Sequence, residues 1–398
     1  MSSTASLMRQ WTGPALLSYG FRPFFLGGAL WAFISALLWI PLLMGDISLP
    51  IAWDPVSWHA HEFLYGYLQA IVAGFLLTAV PNWTGRLPIV GWPLGVLFLC
   101  WIIGRFAVLT SAWWSPEIVA LADLMAPAAL ALAIAQEIIK GKNWRNLIVL
   151  GMLVMLMFGN LIFHIEASSG EYAAGGYGLR IGVGAAIMMI VVIGGRIVPS
   201  FTRNWMARSK MEARPAAIGT YDKVSMLVCL FTVLMWVVQP DSLVTTAALL
   251  ITGGVHTYRL WRWCGYLTGR EPLVWILHVG YAFVPLGALA MGLSIFFPDV
   301  IPATAAQHLW MAGAIATMTL AVMTRATLGH TGQELTAGAG TVIIYLTILV
   351  SVIARVVAGI VPEFNMQLYS LSGAAWCLSF ASYAVVYGPS LLRYRKMG

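Results

Sequence analysis

Long apolar stretches alternate with short polar breaks along the whole chain. A membrane-spanning helix needs about 20 mainly apolar residues, and the sequence contains twelve stretches of this kind. They lie at residues 22–44, 56–80, 91–111, 116–139, 144–166, 178–199, 222–239, 242–263, 271–297, 302–325, 339–361 and 367–391. The pattern predicts an all-α polytopic membrane protein with twelve transmembrane helices, forming a single integral membrane domain over residues 1–398.

The charged residues predict how these helices are oriented. Breaks that follow even-numbered stretches are basic, whereas breaks that follow odd-numbered stretches contain almost no lysine or arginine. The basic residues of the even breaks are Arg86, Lys140, Lys142, Arg145, Arg203, Arg208, Lys210, Arg214, Arg259, Arg262, Arg270 and Arg325. The positive-inside rule therefore predicts a bacterial inner (cytoplasmic) membrane protein with both termini in the cytoplasm. Residues 1–21 form the predicted cytoplasmic N-terminal segment, and residues 200–221 form a cytoplasmic linker between the sixth and seventh helices.

Composition supports the membrane assignment and narrows the partners. Hydrophobic residues make up 60% of the chain and charged residues only 9%, so the lipid bilayer is the expected surrounding. The net charge of +7 is explained by the cytoplasmic breaks, and no nucleic-acid partner is expected.

A weak internal repeat links three of the even-numbered stretches. Residues 61–85 can be laid without gaps over residues 179–203 and 308–332. The columns shared by all three copies are Gly66, Gly184 and Gly313, and Thr84, Thr202 and Thr331. Glycine is common in membrane helices, so coincidence explains this agreement as well as a true repeat does. A true repeat predicts three pseudo-repeats of four helices each.

Four histidines, His59, His61, His164 and His308, fall in the predicted periplasmic half of the membrane. Imidazole is a common metal ligand, and haem iron accepts one or two axial histidines. His59 and His61 lie about 200° apart on a helix and cannot face one pocket. We expect His61 and His308 to be the ligand pair, with His59 or His164 as alternates. For any one histidine, hydrogen bonding between helices is the competing explanation.

Three arginines, Arg105, Arg180 and Arg355, lie in or beside the same half of the membrane, where the orientation rule disfavours them. Arginine pairs bidentately with carboxylates, so haem propionates are one explanation for their position. Ion pairing within the protein, for example between Arg105 and Asp123, explains them equally well. No P-loop, GxSxG, HExxH or EF-hand pattern occurs, and the catalytic residues therefore stay unassigned.

Several long strings resemble the NnrS family. They are GFRPFF at 20–25, WHAHE at 58–62, LTAVPNWTGR at 77–86 and LAVMTRATLGHTG at 320–332. They lie in both halves of the chain, so the resemblance covers its whole length. It implies a bacterial inner-membrane protein of the response to nitric oxide and nitrosative stress, which contains haem b and in some members copper. Nitric oxide or a related small molecule is then the expected ligand, and whether it is bound, sensed or reduced by electrons from an unknown donor stays open.

A more distant resemblance connects the chain with haem-copper oxidase subunits. These are similar in having twelve helices in three groups of four, with histidines of helices two and ten holding one haem. Here His61 or His59, together with His308, occupies the matching helices. The predicted sixth and seventh helices contain no histidine, so an oxidase-type copper centre is not expected, and a reductase activity of that type does not follow.

Two other functions are compatible with the sequence. A cofactor-free transporter of a metal or a nitrosyl-iron species would use the same buried histidines and arginines as its substrate site. An assembly scaffold for a respiratory enzyme would instead dock through the basic connection that contains Arg208, Lys210 and Arg214.

Overall fold

The computed structural model describes residues 11–84 and 88–394, and all of their regular secondary structure is helical. The twelve long helices are α1 (Phe21–Met44), α2 (Pro55–His61, Glu62–Leu68 and Gln69–Thr84), α3 (Trp92–Leu109), α4 (Pro116–Lys140), α5 (Leu147–Ser168), α6 (Tyr177–Met189, Ile190–Gly194 and Gly195–Arg208), α7 (Thr220–Val238), α8 (Leu243–Trp261), α9 (Pro272–Ser294), α10 (Ala303–His308, Leu309–Ala316 and Thr317–His330), α11 (Ala339–Ile360) and α12 (Asn365–Leu392). The predicted all-α polytopic fold is confirmed.

Among the described residues, eleven helices are long and apolar enough to cross a membrane. The remaining long helix is α8, which has 19 residues and buries several polar side chains. These are Thr245, Thr246, Thr252, His256 and Arg259. Eleven of the twelve predicted spans thus have the length and apolarity of a membrane helix, and α8 is the more polar one.

The predicted linker at 200–221 is longer than the observed one. Helix α6 continues to Arg208, so only residues 209–219 separate it from α7. Thr202 and Met206, four residues apart, are buried, whereas the intervening Arg203 and Asn204 are exposed. One buried face is enough to keep this polar segment helical, although its composition resembles that of a loop.

The N-terminal segment and the basic breaks are only partly described. Residues 11–20 contain one short 3-10 helix, Ala15–Ser18, and Phe21 already belongs to α1. Arg86 and residues 1–10 lie outside the described residues.

The described chain divides into two compact units. The first contains residues up to Gly182, together with Thr327–Gln333 and the chain from Tyr383 onward. The second contains Val183–Ala326 and Glu334–Ser382. The sequence predicts a single domain over residues 1–398, and the described helices form two clusters.

In the first unit, two of the strings that resemble the NnrS family come together. The Arg22 Nη1 donates to carbonyl oxygens at the end of α12, including that of Leu391 at 3.0 Å. The ring of His330 lies 5.3 Å from Tyr19 and 5.5 Å from Phe21, measured between ring centroids. The 20–25 string thus packs against the end of the 320–332 string and caps the last helix.

The second unit is organised by a buried hydrogen-bond network around Arg259, which is 1% exposed. The guanidinium donates to Asp222 Oδ1 at 3.0 Å, to the Tyr281 hydroxyl at 2.9 Å and to the carbonyl of Val191 at 3.1 Å. His256 Nδ1 lies 2.8 Å from the same hydroxyl, and its Nε2 lies 3.1 Å from a backbone carbonyl of α7. The charged and polar groups of this Arg259 network satisfy one another, as buried polar groups must.

Three helices contain a π-helical segment, in which hydrogen bonds run from i to i+5. These segments are Glu62–Leu68 in α2, Ile190–Gly194 in α6 and Leu309–Ala316 in α10. They occur in the helices related by the weak sequence repeat. In α2 and α10 the segment begins one residue after His61 and His308, which occupy the same column of that repeat. This agreement supports the equivalence of α2 and α10, and π turns are frequent at functional sites.

Candidate functional site

The two histidines of α2 face different neighbours, as their spacing on a helix predicts. Helix α2 begins where Asp54 accepts a hydrogen bond from the Ser57 backbone N–H at 2.9 Å. The His59 ring stacks on Trp39 with 4.2 Å between centroids and an interplanar angle of 11°. His61 is completely buried and takes part in a set of polar contacts in the interior of the first unit.

These contacts form what we call the buried polar cluster, which consists of His61, Glu62, Arg105, Asp123, Asn160 and His164. His61 Nδ1 lies 2.9 Å from Glu62 Oε1. His61 Nε2 lies 2.9 Å from Asn160 Oδ1 and 3.1 Å from Asp123 Oδ2. His164 Nε2 lies 3.0 Å from the same Asp123 oxygen. Two imidazole nitrogens thus converge on one carboxylate oxygen.

Arg105 connects the two carboxylates of the cluster. Its Nη1 donates to both carboxylate oxygens of Glu62 at 2.8 Å, and its Nη2 donates to Asp123 Oδ1. The Trp31 indole N–H adds a hydrogen bond to Glu62 Oε2 at 2.6 Å. The ion pair of Arg105 with Asp123, one of the two explanations given by the sequence, is present. Glu62 is a second partner that the sequence analysis missed, although it is the only acidic residue in the predicted second stretch.

Four helices supply the cluster, and glycines allow them to approach closely. Asn160 and His164 are four residues apart on α5 and share a face, as predicted. A Cβ at Gly66 would lie 2.6 Å from Arg105 Nη1 and 2.7 Å from Glu62 Oε2. A Cβ at Gly104 would lie 2.9 Å from the backbone of Asp123. Side chains at these positions would push the charged groups apart.

The chemistry of the cluster suits a cation. With neutral imidazoles, two carboxylates against one guanidinium leave one net negative charge. His61, Asp123 and His164 can each offer a ligand atom, and these atoms lie within 4.8 Å of one another. Ionisable groups in a membrane interior are costly and mark functional sites.

Arg180 lies in the first unit, at the start of α6, and contacts residues close to it in the sequence. Its Nη1 donates to the Gly175 carbonyl at 2.8 Å, and its guanidinium carbon lies 4.6 Å from the centroid of the Tyr177 ring. Arg180 is thus half-exposed, and its guanidinium contacts residues at or just before the start of its own helix.

His308 and Arg355 lie in the second unit, on α10 and α11. His308 Nδ1 lies 2.6 Å from the carbonyl oxygen of Thr304. The Arg355 guanidinium carbon lies 4.8 Å from the centroid of the Tyr369 ring, and its Nη1 is buried with no hydrogen-bond partner among the described residues. The two predicted site residues on α10 and α11 thus share a unit, whereas the predicted ligand pair of His61 and His308 is divided between units.

The comparisons with known proteins agree with the motifs. No curated protein matches the chain. The family described as NnrS protein matches residues 15–395. This range contains all the strings on which the resemblance depends and nearly the whole chain, and the protein therefore belongs to the NnrS family.

Proposed function

We propose that this protein is a haem b protein of the bacterial inner membrane that binds nitric oxide at an iron held by His308 on the periplasmic side. Membership of the NnrS family associates the chain with the nitric oxide response, and its eleven apolar helices make it an integral membrane protein. Haem and its position are our proposal, and the geometry of α10 and α11 supports them.

His308 has the orientation of a ligand histidine. A carbonyl oxygen only accepts hydrogen bonds, so the 2.6 Å contact with Thr304 places the proton of a neutral ring on Nδ1. The lone pair then lies on Nε2. Histidines that bind metals commonly donate their other ring N–H to a backbone carbonyl in this way.

The buried Arg355 Nη1 is the observation that carries the proposal. A buried guanidinium N–H without a partner is costly, and haem propionates are anionic acceptors that arginine binds well. Ala305 of α10 packs against Gly359 of α11, where an added Cβ would lie only 2.8 Å away. His308 is three residues beyond Ala305 and Arg355 is four before Gly359. Consecutive membrane spans are antiparallel, so the two side chains start at similar depths.

His61 does not fit haem iron in the observed arrangement. Both of its ring nitrogens contact protein oxygens, at 2.9 Å on each side. Iron at Nε2 would have to displace Asn160 and Asp123 together. We therefore propose that His308 alone would hold the haem iron. When bound there, the haem would supply an iron that can take a gas such as nitric oxide.

The test uses the full-length protein, purified from cells supplied with haem. We expect a Soret band that shifts on addition of nitric oxide to the reduced protein. The His308→Ala variant should lose the band, and Arg355→Leu should retain less haem. His330→Ala, on the same helix, is the matched control and should keep normal haem content. The absence of a Soret band from the wild type, or unchanged haem in His308→Ala, would refute the proposal.

A further inference from the structure

We infer that the buried polar cluster is a binding site for one divalent first-row transition-metal ion, with His61 Nε2, His164 Nε2 and Asp123 Oδ2 as its ligands. The inference concerns a different unit from the haem proposal and does not depend on it. The ligand atoms belong to three side chains that are at most 5% exposed, and they are supplied by α2, α4 and α5.

The spacing of the ligand atoms fits a known coordination geometry. For metal–ligand bonds of about 2.1 Å, adjacent octahedral ligands are about 3.0 Å apart and tetrahedral ligands about 3.4 Å apart. The observed separations from Asp123 Oδ2 are 3.1 Å to His61 Nε2 and 3.0 Å to His164 Nε2. All three ligand atoms lie within 4.8 Å of one another, and two histidines with one carboxylate are the donor set that holds Fe²⁺ in non-haem iron proteins and leaves other positions open.

The hydrogen-bond pattern around His61 also points to a cation. Its Nδ1 faces the Glu62 carboxylate, which accepts hydrogen bonds, so a neutral His61 ring would carry its proton on Nδ1. Its Nε2 lone pair then faces two acceptors, Asn160 Oδ1 and Asp123 Oδ2. Exchanging the amide oxygen and nitrogen of Asn160 would give His61 a donor, but it would break the hydrogen bond that Asn160 Nδ2 donates to Asp123 Oδ2 at 2.8 Å. A metal ion between these atoms accepts lone pairs from both His61 and Asp123, which removes the conflict.

The surrounding groups already hold the ligands as the outer contacts of a metal site do. The Glu62 carboxylate accepts from His61 Nδ1, giving the carboxylate–histidine–metal arrangement that orients the ring and raises its basicity. Arg105 fixes Glu62 and the second oxygen of Asp123. Asp123 Oδ2 is thereby directed at the two imidazoles.

The test measures metal binding to the purified full-length protein after removal of metal with a chelator. The probes are Fe²⁺ without oxygen and Co²⁺, whose absorption reports its coordination number. We expect one ion per chain by equilibrium dialysis and elemental analysis, and a six-coordinate Co²⁺ spectrum. His61→Ala and His164→Ala should each weaken binding by at least about tenfold. His59→Ala, two residues from His61 on the same helix, should bind like the wild type.

The outcomes separate this inference from the haem proposal. Loss of Co²⁺ with normal haem in His164→Ala would support the cluster as a distinct metal site. Wild-type protein that binds no ion, or unchanged binding in both His61→Ala and His164→Ala, would show that a proton occupies the place of the metal. If the variants do not fold, the wild-type stoichiometry and Co²⁺ spectrum decide the question alone.

Discussion

Replacing Arg105 with leucine tests whether the buried polar cluster holds the first unit together. Leucine removes the guanidinium but keeps an apolar side chain in the membrane interior. The change deletes both hydrogen bonds to Glu62, at 2.8 Å, and the ion pair with Asp123. Two buried carboxylates then lose their only arginine partner among the observed contacts.

The loss in the free energy of unfolding depends on the contacts that each carboxylate keeps in the variant. Breaking a buried ion pair by removing one partner costs about 3–5 kcal/mol, because a buried charge is left uncompensated. Glu62 keeps the Trp31 and His61 contacts, and Asp123 keeps those from Asn160 and His164. We therefore expect the lower part of that range, about 3 kcal/mol, which is about a hundredfold change in the unfolding equilibrium.

The assay is reversible unfolding of the purified protein in mixed micelles with increasing sodium dodecyl sulfate, followed by circular dichroism. Arg180→Leu is the matched control, because Arg180 is half-exposed and contacts a backbone carbonyl and one ring; its loss should cost about 0–1 kcal/mol. Adding Glu62→Gln to Arg105→Leu should recover part of the lost stability, since it neutralises one stranded charge. Stability of Arg105→Leu within 1 kcal/mol of the wild type, the scatter expected for surface pairs, would refute the reasoning.

Two further pairs of substitutions can be measured by the same unfolding assay, and a fifth variant by hydrogen exchange. Gly66→Ala should destabilise by about 1–3 kcal/mol because its methyl group would enter the buried polar cluster, whereas Gly151→Ala, with open space around it, should stabilise by up to about 1 kcal/mol. Arg259→Met should lower the free energy of unfolding by about 3–5 kcal/mol, because it breaks the Arg259 network. Arg262→Met is the control and should lower it by less than about 1 kcal/mol, because the ion pair of Arg262 is 3.5 Å long. Equal losses of stability in the two variants would contradict this. Arg22→Ala should speed hydrogen exchange at the end of α12, and unchanged exchange would show that its carbonyl contacts do not matter there.

The helices could be predicted from the sequence because membrane spans are recognised by their length and apolar composition. The predicted stretches and the observed helices differ mainly at ends with mixed composition. Helix α6 continues past the predicted end at residue 199 to Arg208 because Thr202 and Met206 are buried on one side. Helix α10 similarly continues to His330, five residues beyond its predicted end. A hydropathy pattern reports the apolar core of a helix, not the polar turns that extend it.

The candidate site could be predicted less well than the helices. The alternation of basic and non-basic breaks gives the depth of a residue in the membrane, but not the direction in which its side chain points. His61 and His164 were predicted at one depth, and they do converge on Asp123. Asp123 was considered only as an ion-pair partner, and Glu62 was not considered. Which faces of α2, α4 and α5 meet depends on helix packing and on close approaches at glycines, and these are tertiary properties.

The two helices that the weak repeat aligns, α2 and α10, differ in the charged groups around them. His61 and His308 each precede a π-helical segment, and the next helix in each case carries a buried or half-buried arginine, Arg105 on α3 and Arg355 on α11. In the first copy Glu62 follows His61 and binds this arginine. In the second copy Leu309 takes that place, so Arg355 finds the ring of Tyr369 but no carboxylate among its observed contacts. Around His61 the arginine is thus paired with carboxylates of the protein, and the net negative charge that is left suits a metal cation. Around His308 an arginine nitrogen has no hydrogen-bond partner among the described residues, which suits an anionic ligand such as a haem propionate.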